Sequence, residues 1–213
     1  MSKYKFPAII PRGSKILLTQ GFTYHPTNNI LGHAGIDWCA YDYSKNYADN
    51  QVLTYGVKFV MPFDSICAEA DDFGTMQEKG NGVRMRWLDK DGFWYDLLFW
   101  HTIYNEVSKG DLVPAGKVVG LMGNTGSVKP IVTKEAPYNG THCHMELWRF
   151  NKNSDGGHIN IVLLDASLYF DMNDVYGYED GFINEVDGIP LKWAFPNVMD
   201  RLLYIIKHFF QST

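Results

Sequence analysis

Between Lys15 and Phe150 the apolar residues come in short runs, many alternating with polar positions, and Gly, Asn, Asp and Pro cut the runs apart. Alternation at period two, bounded by turn residues, predicts strands rather than helices. The segments that fit are KILLTQGF, GIDWCA, VKFVMP, SICAEAD, GVRMRWLD, FWYDLLFWH, KVVGLMG and HCHMELWRF. Asp91-Gly92 inside LDKDGFWYDLL predicts a hairpin turn. The expected fold is mainly β, an antiparallel sheet domain. Two stretches, 41–56 and 124–140, are too polar for strands and too long for ordinary turns. Long loops in compact domains tend to be functional rims or lids.

Past Phe150 the pattern changes. SDGGHINIVLLDASLYF adds one apolar segment, and YGYEDGFINEVDGIP is an acidic, glycine-containing connection. Beyond Pro196, apolar residues recur at helical spacing at Val198, Leu202, Ile205, Ile206 and Phe209. The chain is therefore expected to form a domain over 1–170 and a C-terminal extension over 171–213. An amphipathic helix in that extension, 196–211, is expected to pack on the same domain.

Composition narrows the function classes. A chain of 213 residues, 46% hydrophobic, 20% charged and 15% aromatic, is long enough for one well-filled globular domain. Its net charge of -5 lacks the basic excess that general nucleic-acid affinity requires. No run reaches the length of a membrane-spanning helix, so no membrane insertion is expected. The opening MSKYKFPAIIPRGSKILL is broken by Pro7, Pro11 and Gly13, so a secretory apolar region is not expected there. Cys39, Cys67 and Cys143 have no CxxC spacing and suggest neither a disulfide framework nor a cysteine zinc site.

The histidines are placed unevenly. In NGTHCHMELW a strand puts His142 and His144 on one face, about 6 to 7 Å apart at Cα, and Cys143 on the other as a small buried residue. In HAGID a flat strand would separate His33 from Asp37 by roughly 13 Å. Ligands of one zinc ion, at bond lengths of about 2.0 to 2.2 Å, need donor atoms within roughly 3.5 Å of each other. The chain must bend between them, and Gly35 is the residue that tolerates unusual backbone angles. His33, Asp37 and one histidine of the His142/His144 pair would form a His-Asp-His set for one catalytic Zn2+, with a position left for water. Water held by zinc has a pKa near 7 and becomes a nucleophile. His101, closing the aromatic run LLFWHTIY, and the remaining histidine of the pair would move protons or support an oxyanion. His25, His158 and His208 carry no expected role.

Taken in order, HAGID, LLFWHT, VSKGDLVPAGKVVGLMGNTG and HCHMEL resemble the lysostaphin-like, LytM-type zinc endopeptidases of bacterial cell walls. The resemblance covers roughly residues 20 to 170. It implies a small antiparallel β-sheet domain with long loops around a groove, zinc ligands at His33, Asp37 and His144, catalytic histidines at His101 and His142, and peptidoglycan peptides as substrate. No nucleic-acid partner is expected from the charge, and a monomer is favoured. Tyr24 lies where some members place a tyrosine hydroxyl near the oxyanion, although HPTNNILG intervenes. The family's Gly/Pro-His-Leu-His is GTHCHME here, and the loop before it is longer than members commonly show. The resemblance implies action at the cell wall. With no export signal expected, that fits a phage or prophage product released by lysis or carried on a virion. A non-enzymatic wall-binding or activator module, or a structural virion component, is the competing expectation. Members of the non-enzymatic kind usually lose site residues, whereas here all five are present.

Overall fold

A computed structural model describes residues 15–20, 22, 32–41, 45–72 and 79–170, together with four two-residue strands between 178 and 190. The main body is a ten-stranded sheet in which every pairing is antiparallel. Its strands are β1 (Lys15–Gln20), β2 (Ile36–Tyr41), β3 (Lys58–Val60), β4 (Ser65–Asp72), β5 (Asn81–Leu88), β6 (Trp94–Asn105), β7 (Leu112–Val113), β8 (Val118–Met122), β9 (Cys143–Lys152) and β10 (His158–Leu164). The spatial order is β1-β2-β9-β6-β5-β4-β7. β10 lies beside the C-terminal half of β9, and β8 joins the far end of β6 and carries β3. Each strand read from alternation is present, and the β5–β6 hairpin turns through Gly92 at φ 82°.

Alternation sorts the sheet into two faces. Tyr95, Leu97 and Phe99 of β6, Met145 and Leu147 of β9, Ile36 and Trp38 of β2, and Met85 of β5 belong to one buried core. Phe59 stacks on Phe99 with ring centroids 4.7 Å apart. Cys143 is fully buried in this core, as its position opposite the histidines predicts, and all three cysteines are free.

The other face is aromatic and charged. The Arg86 guanidinium donates two hydrogen bonds of 2.7 Å to the buried Asp96 carboxylate. Lys152 lies over Trp94 at 3.9 Å from the ring centroid, and Arg86 over Phe150 at 5.1 Å. Long cationic side chains thus cover the aromatic rings of this face, and the Arg86 head stays paired with Asp96.

Two expectations need correction. The stretch 41–56 is not loop throughout: Tyr47–Thr54 forms a helix, α1, started by the Asn46 side chain, which accepts a hydrogen bond from the Asp49 amide at 2.9 Å. His101 also does not end its strand, because β6 runs on to Asn105. The stretch 124–140 is indeed a long loop. Asn124 pins it by donating to the carbonyls of Pro137 and Asn139, and Asn139 donates to that of Ile131. In the extension, Tyr178–Glu179 (β11) pairs with Phe182–Ile183 (β12), and Glu185–Val186 (β13) with Ile189–Pro190 (β14). The expected 196–211 helix and Tyr24 lie outside the described residues.

Replacing Asp96 by Ala strands a largely buried guanidinium. Urea unfolding of Asp96→Ala should show a loss of about 3 kcal/mol. A loss under 1 kcal/mol would mean that Arg86 simply turns out to solvent.

Candidate metal centre

Strand register brings the first two groups together. Asp37 of β2 sits directly opposite His144 of β9, and His144 opposite Trp100 of β6. All three occupy the face away from the core. His33 arrives from outside β2, over a bend at Ala34–Gly35 that folds it back onto Asp37. The bend falls where the sequence places it, but the need for glycine is spatial. A Cβ on Gly35 would stand 2.9 Å from His144 Nε2 and would run into the Met145 carbonyl. Gly35 has no positive φ.

The result is a tight triangle of donor atoms. His33 Nε2 lies 3.1 Å from Asp37 Oδ1 and 3.0 Å from His144 Nδ1, and His144 Nδ1 lies 2.9 Å from Asp37 Oδ1. These three residues form a His-Asp-His cluster able to hold a metal ion. The spacing is close to the edge of a tetrahedron with bonds of about 2.1 Å.

Glu146, two residues beyond His144 on the same face, completes the arrangement. Its Oε1 lies 3.1 Å from His144 Nε2, and its Oε2 accepts from the Trp148 indole at 2.9 Å. A carboxylate accepts only, so His144 donates from Nε2 to Glu146 and from Nδ1 to Asp37; a cation bound there would take the place of the Nδ1 proton. The converging donor atoms suit a cation. The electrostatics agree. Burial would depress the His144 pKa, yet hydrogen bonds to Asp37 and Glu146 outweigh it and raise the value to about 9. Burial would raise that of Asp37, yet His144 and His33 hold its carboxyl well below the usual range. The site favours positive charge.

His101 and His142 stand beside the triangle, their ring centroids 4.6 Å apart. His142 precedes β9 and is tied by a bridge to Gly123, and its Nε2 is 3.8 Å from Asp37 Oδ2. His101 is the extra residue of a β-bulge: Gly82 pairs with Trp100 and Asn81 with Thr102, leaving His101 unpaired at φ 64°. A bulge re-aims a side chain, and a non-glycine residue at this φ is strained by roughly 1 to 3 kcal/mol. Thr125 holds it in place. Its carbonyl accepts from His101 Nδ1 at 2.7 Å, and its hydroxyl accepts from the Asn81 amide and donates to the Thr102 carbonyl. His142 Nδ1 likewise donates to the Gly140 carbonyl at 2.7 Å. Both rings therefore keep Nε2 as an acceptor. Burial lowers both pKa values; that of His101, further depressed by His142, falls to about 4.

The five histidine and aspartate positions line a groove of about 680 Å³ together with Trp100, Lys79, Glu146 and residues of α1 and the 124–140 loop. Sequence reasoning missed Glu146 and the Thr125 carbonyl. The first was findable, since alternation puts residue 146 on the histidine face; a backbone carbonyl leaves no such mark.

No protein-family model and no curated protein matches the chain. Solved structures do. A zinc-containing peptidase from Vibrio cholerae is 20% identical over 68% of this chain and 36% of its own length, with a TM-score of 0.44. The catalytic domain of lysostaphin from Staphylococcus simulans is 18% identical over 71% of this chain and 88% of its own, with a TM-score of 0.40. A structure of the SpoIIQ–SpoIIIAH pore-forming complex is 15% identical over 81% and 94%, with a TM-score of 0.48. This chain thus spans about a third of the Vibrio cholerae protein. At TM-scores below 0.5, what the chain does has to be read from its own site residues.

Glu146→Gln should leave the far-ultraviolet circular dichroism unchanged and weaken zinc affinity 10- to 100-fold in a chelator competition. Unchanged affinity would show that the negative charge of Glu146 is not needed at His144 Nε2.

Proposed function

We propose that this protein is a zinc-dependent endopeptidase that hydrolyses amide bonds in peptidoglycan stem or cross-bridge peptides. The single observation that carries this reading is the His33–Asp37–His144 triangle with two Nε2 acceptors, those of His101 and His142, beside it in one groove. Zinc suits a mixed nitrogen and oxygen donor set, and three protein ligands leave a position open. The resemblance of HAGID, the LLFWHT histidine and HCHMEL to the LytM-type pattern supplies the substrate class.

Zinc bound there would polarise the scissile carbonyl and acidify a water molecule. The protein's own groups do the rest. His142, held by the Gly140 carbonyl at Nδ1, takes a proton from the attacking water at Nε2, and the Asp37 carboxylate 3.8 Å away supports the imidazolium that forms. His101, held by Thr125, accepts a hydrogen bond at Nε2 and orients that water. The imidazolium N–H of His142 is then available to the oxyanion and to the leaving amine. Trp100 and the pinned 124–140 loop wall the groove. Action at the cell wall follows from this substrate. Release by lysis or carriage on a virion is the accompanying expectation, and a holin or tail gene beside the coding sequence would support it.

Cleavage of wall peptides and bound zinc, measured together on each variant, test the roles. His33→Ala and His144→Ala should lose both metal and turnover. His101→Ala and His142→Ala should keep about one zinc per chain while turnover falls at least 100-fold. If His142→Ala loses the metal and His144→Ala retains it, the roles within the pair are reversed.

A further inference from the structure

The groove carries charge that the metal centre does not use. Among the described residues its lining holds two carboxylates, Asp37 and Glu146, and two ammonium groups, Lys79 and Lys129. Both carboxylates are committed, Asp37 to His33 and His144, Glu146 to His144 and the Trp148 indole. The lysines keep donors to spare. Lys129 is exposed and has no ion-pair or hydrogen-bond partner among the described residues. Lys79 Nζ lies 4.9 Å from the Trp100 ring centroid and 3.5 Å from Glu146 Oε1, the outer limit of a hydrogen bond, and its side chain is 53% exposed. An ammonium group has three donors, so two remain for a ligand that water-filled space can admit.

Each lysine is rooted beside the chemistry. The Lys79 carbonyl accepts from the His101 amide at 3.4 Å, and Gly80 packs so closely on Thr125, which holds the His101 ring, that a Cβ there would run into it. Pro130, next to Lys129, sets its carbonyl against Gly140, two residues before His142. Glu146, beside Lys79, lies two residues past His144. The two lysines therefore flank the His33–Asp37–His144 triangle along the direction of β9. They also balance the two carboxylates, so a divalent cation in the triangle leaves the groove net positive within a chain whose net charge is -5. A cleft of one sign attracts ligands of the other.

We propose that Lys79 and Lys129 bind free carboxylates of the substrate, and that the substrate is an acidic stem peptide rather than a neutral oligoglycine bridge. The proposal rests on the peptidase reading and decides between the two peptide classes which that reading leaves open. A neutral bridge gives the two ammonium groups nothing to pair with. A peptide with free carboxylates near the scissile bond forms charge-assisted hydrogen bonds with them while its amide lies at the metal centre.

The test uses a cross-linked stem peptide in two forms, with its free carboxyl groups intact or converted to carboxamides, and pentaglycine beside them. Zinc-loaded wild type should cleave the acid form with a kcat/KM roughly 5- to 20-fold above that for the carboxamide form and for pentaglycine. High salt should shrink that advantage. Lys79→Gln and Lys129→Gln should each lower the acid-to-carboxamide ratio, and the double variant should bring it close to one with its zinc retained. Calorimetry on zinc-loaded His142→Ala should show tighter binding of the acid form, a preference lost when both lysines are also replaced. A lysine that merely supports Glu146 would lower cleavage of both forms alike. Equal cleavage of the two forms, a ratio unmoved in the double variant, or a preference for pentaglycine overturns the proposal and leaves the peptidase reading intact. Zinc-loaded wild type that cleaves none of the three overturns the peptidase reading, and this proposal falls with it.

Discussion

The pairing register of β2, β9 and β6 is the constraint on which the rest of the structure depends. With Asp37 opposite His144 and His144 opposite Trp100, three chemically distinct residues stand in one row on the same face. A slip of one residue in a strand exchanges its two faces. It would turn Asp37 and His144 into the core and bring out Trp38 and Met145, both fully buried now. The hydrophobic core therefore enforces the geometry of the candidate metal centre. The driving force that packs Phe99, Met145 and Trp38 also fixes which polar side chains meet on the other side.

Around that row the chain departs from regular structure at two points, and each departure delivers one histidine. The bend at Gly35 returns His33 to Asp37, in a space so close to His144 that only a residue without Cβ fits. The bulge in β6 lifts His101 out of the ladder at φ 64°, and Thr125 secures it through both its carbonyl and its hydroxyl. Glu146, also bonded to the Trp148 indole, fixes the orientation of His144. The centre is thus preorganised: His101, His142 and His144 each have one ring nitrogen committed to a carbonyl or to Glu146, which leaves the other for the site.

Much of this could be read from the sequence, because period-two alternation is a strong local signal. It located the strands, set His142 and His144 opposite Cys143, and required a bend between His33 and Asp37. It gave the wrong reason for Gly35, since backbone freedom is legible in one residue whereas a close approach by β9, over a hundred positions away, is not. It placed His101 at a strand end because a bulge has no signature in a single strand; it exists only relative to the pairing of Asn81 and Gly82. Helix α1 was invisible for a different reason. Periodicity finds helices by their apolar stripe, and the buried side chains described in α1 are the polar Asn50, Gln51 and Thr54.

The central claim is that His33, Asp37 and His144 hold one catalytic zinc. Elemental mass spectrometry of protein purified without chelator, alongside Asp37→Ala prepared in the same way, tests it without any assumption about substrate. Close to one zinc per chain in the wild type, lost in a folded Asp37→Ala, is the predicted result. A folded wild type that holds no zinc even after incubation with it would contradict the account.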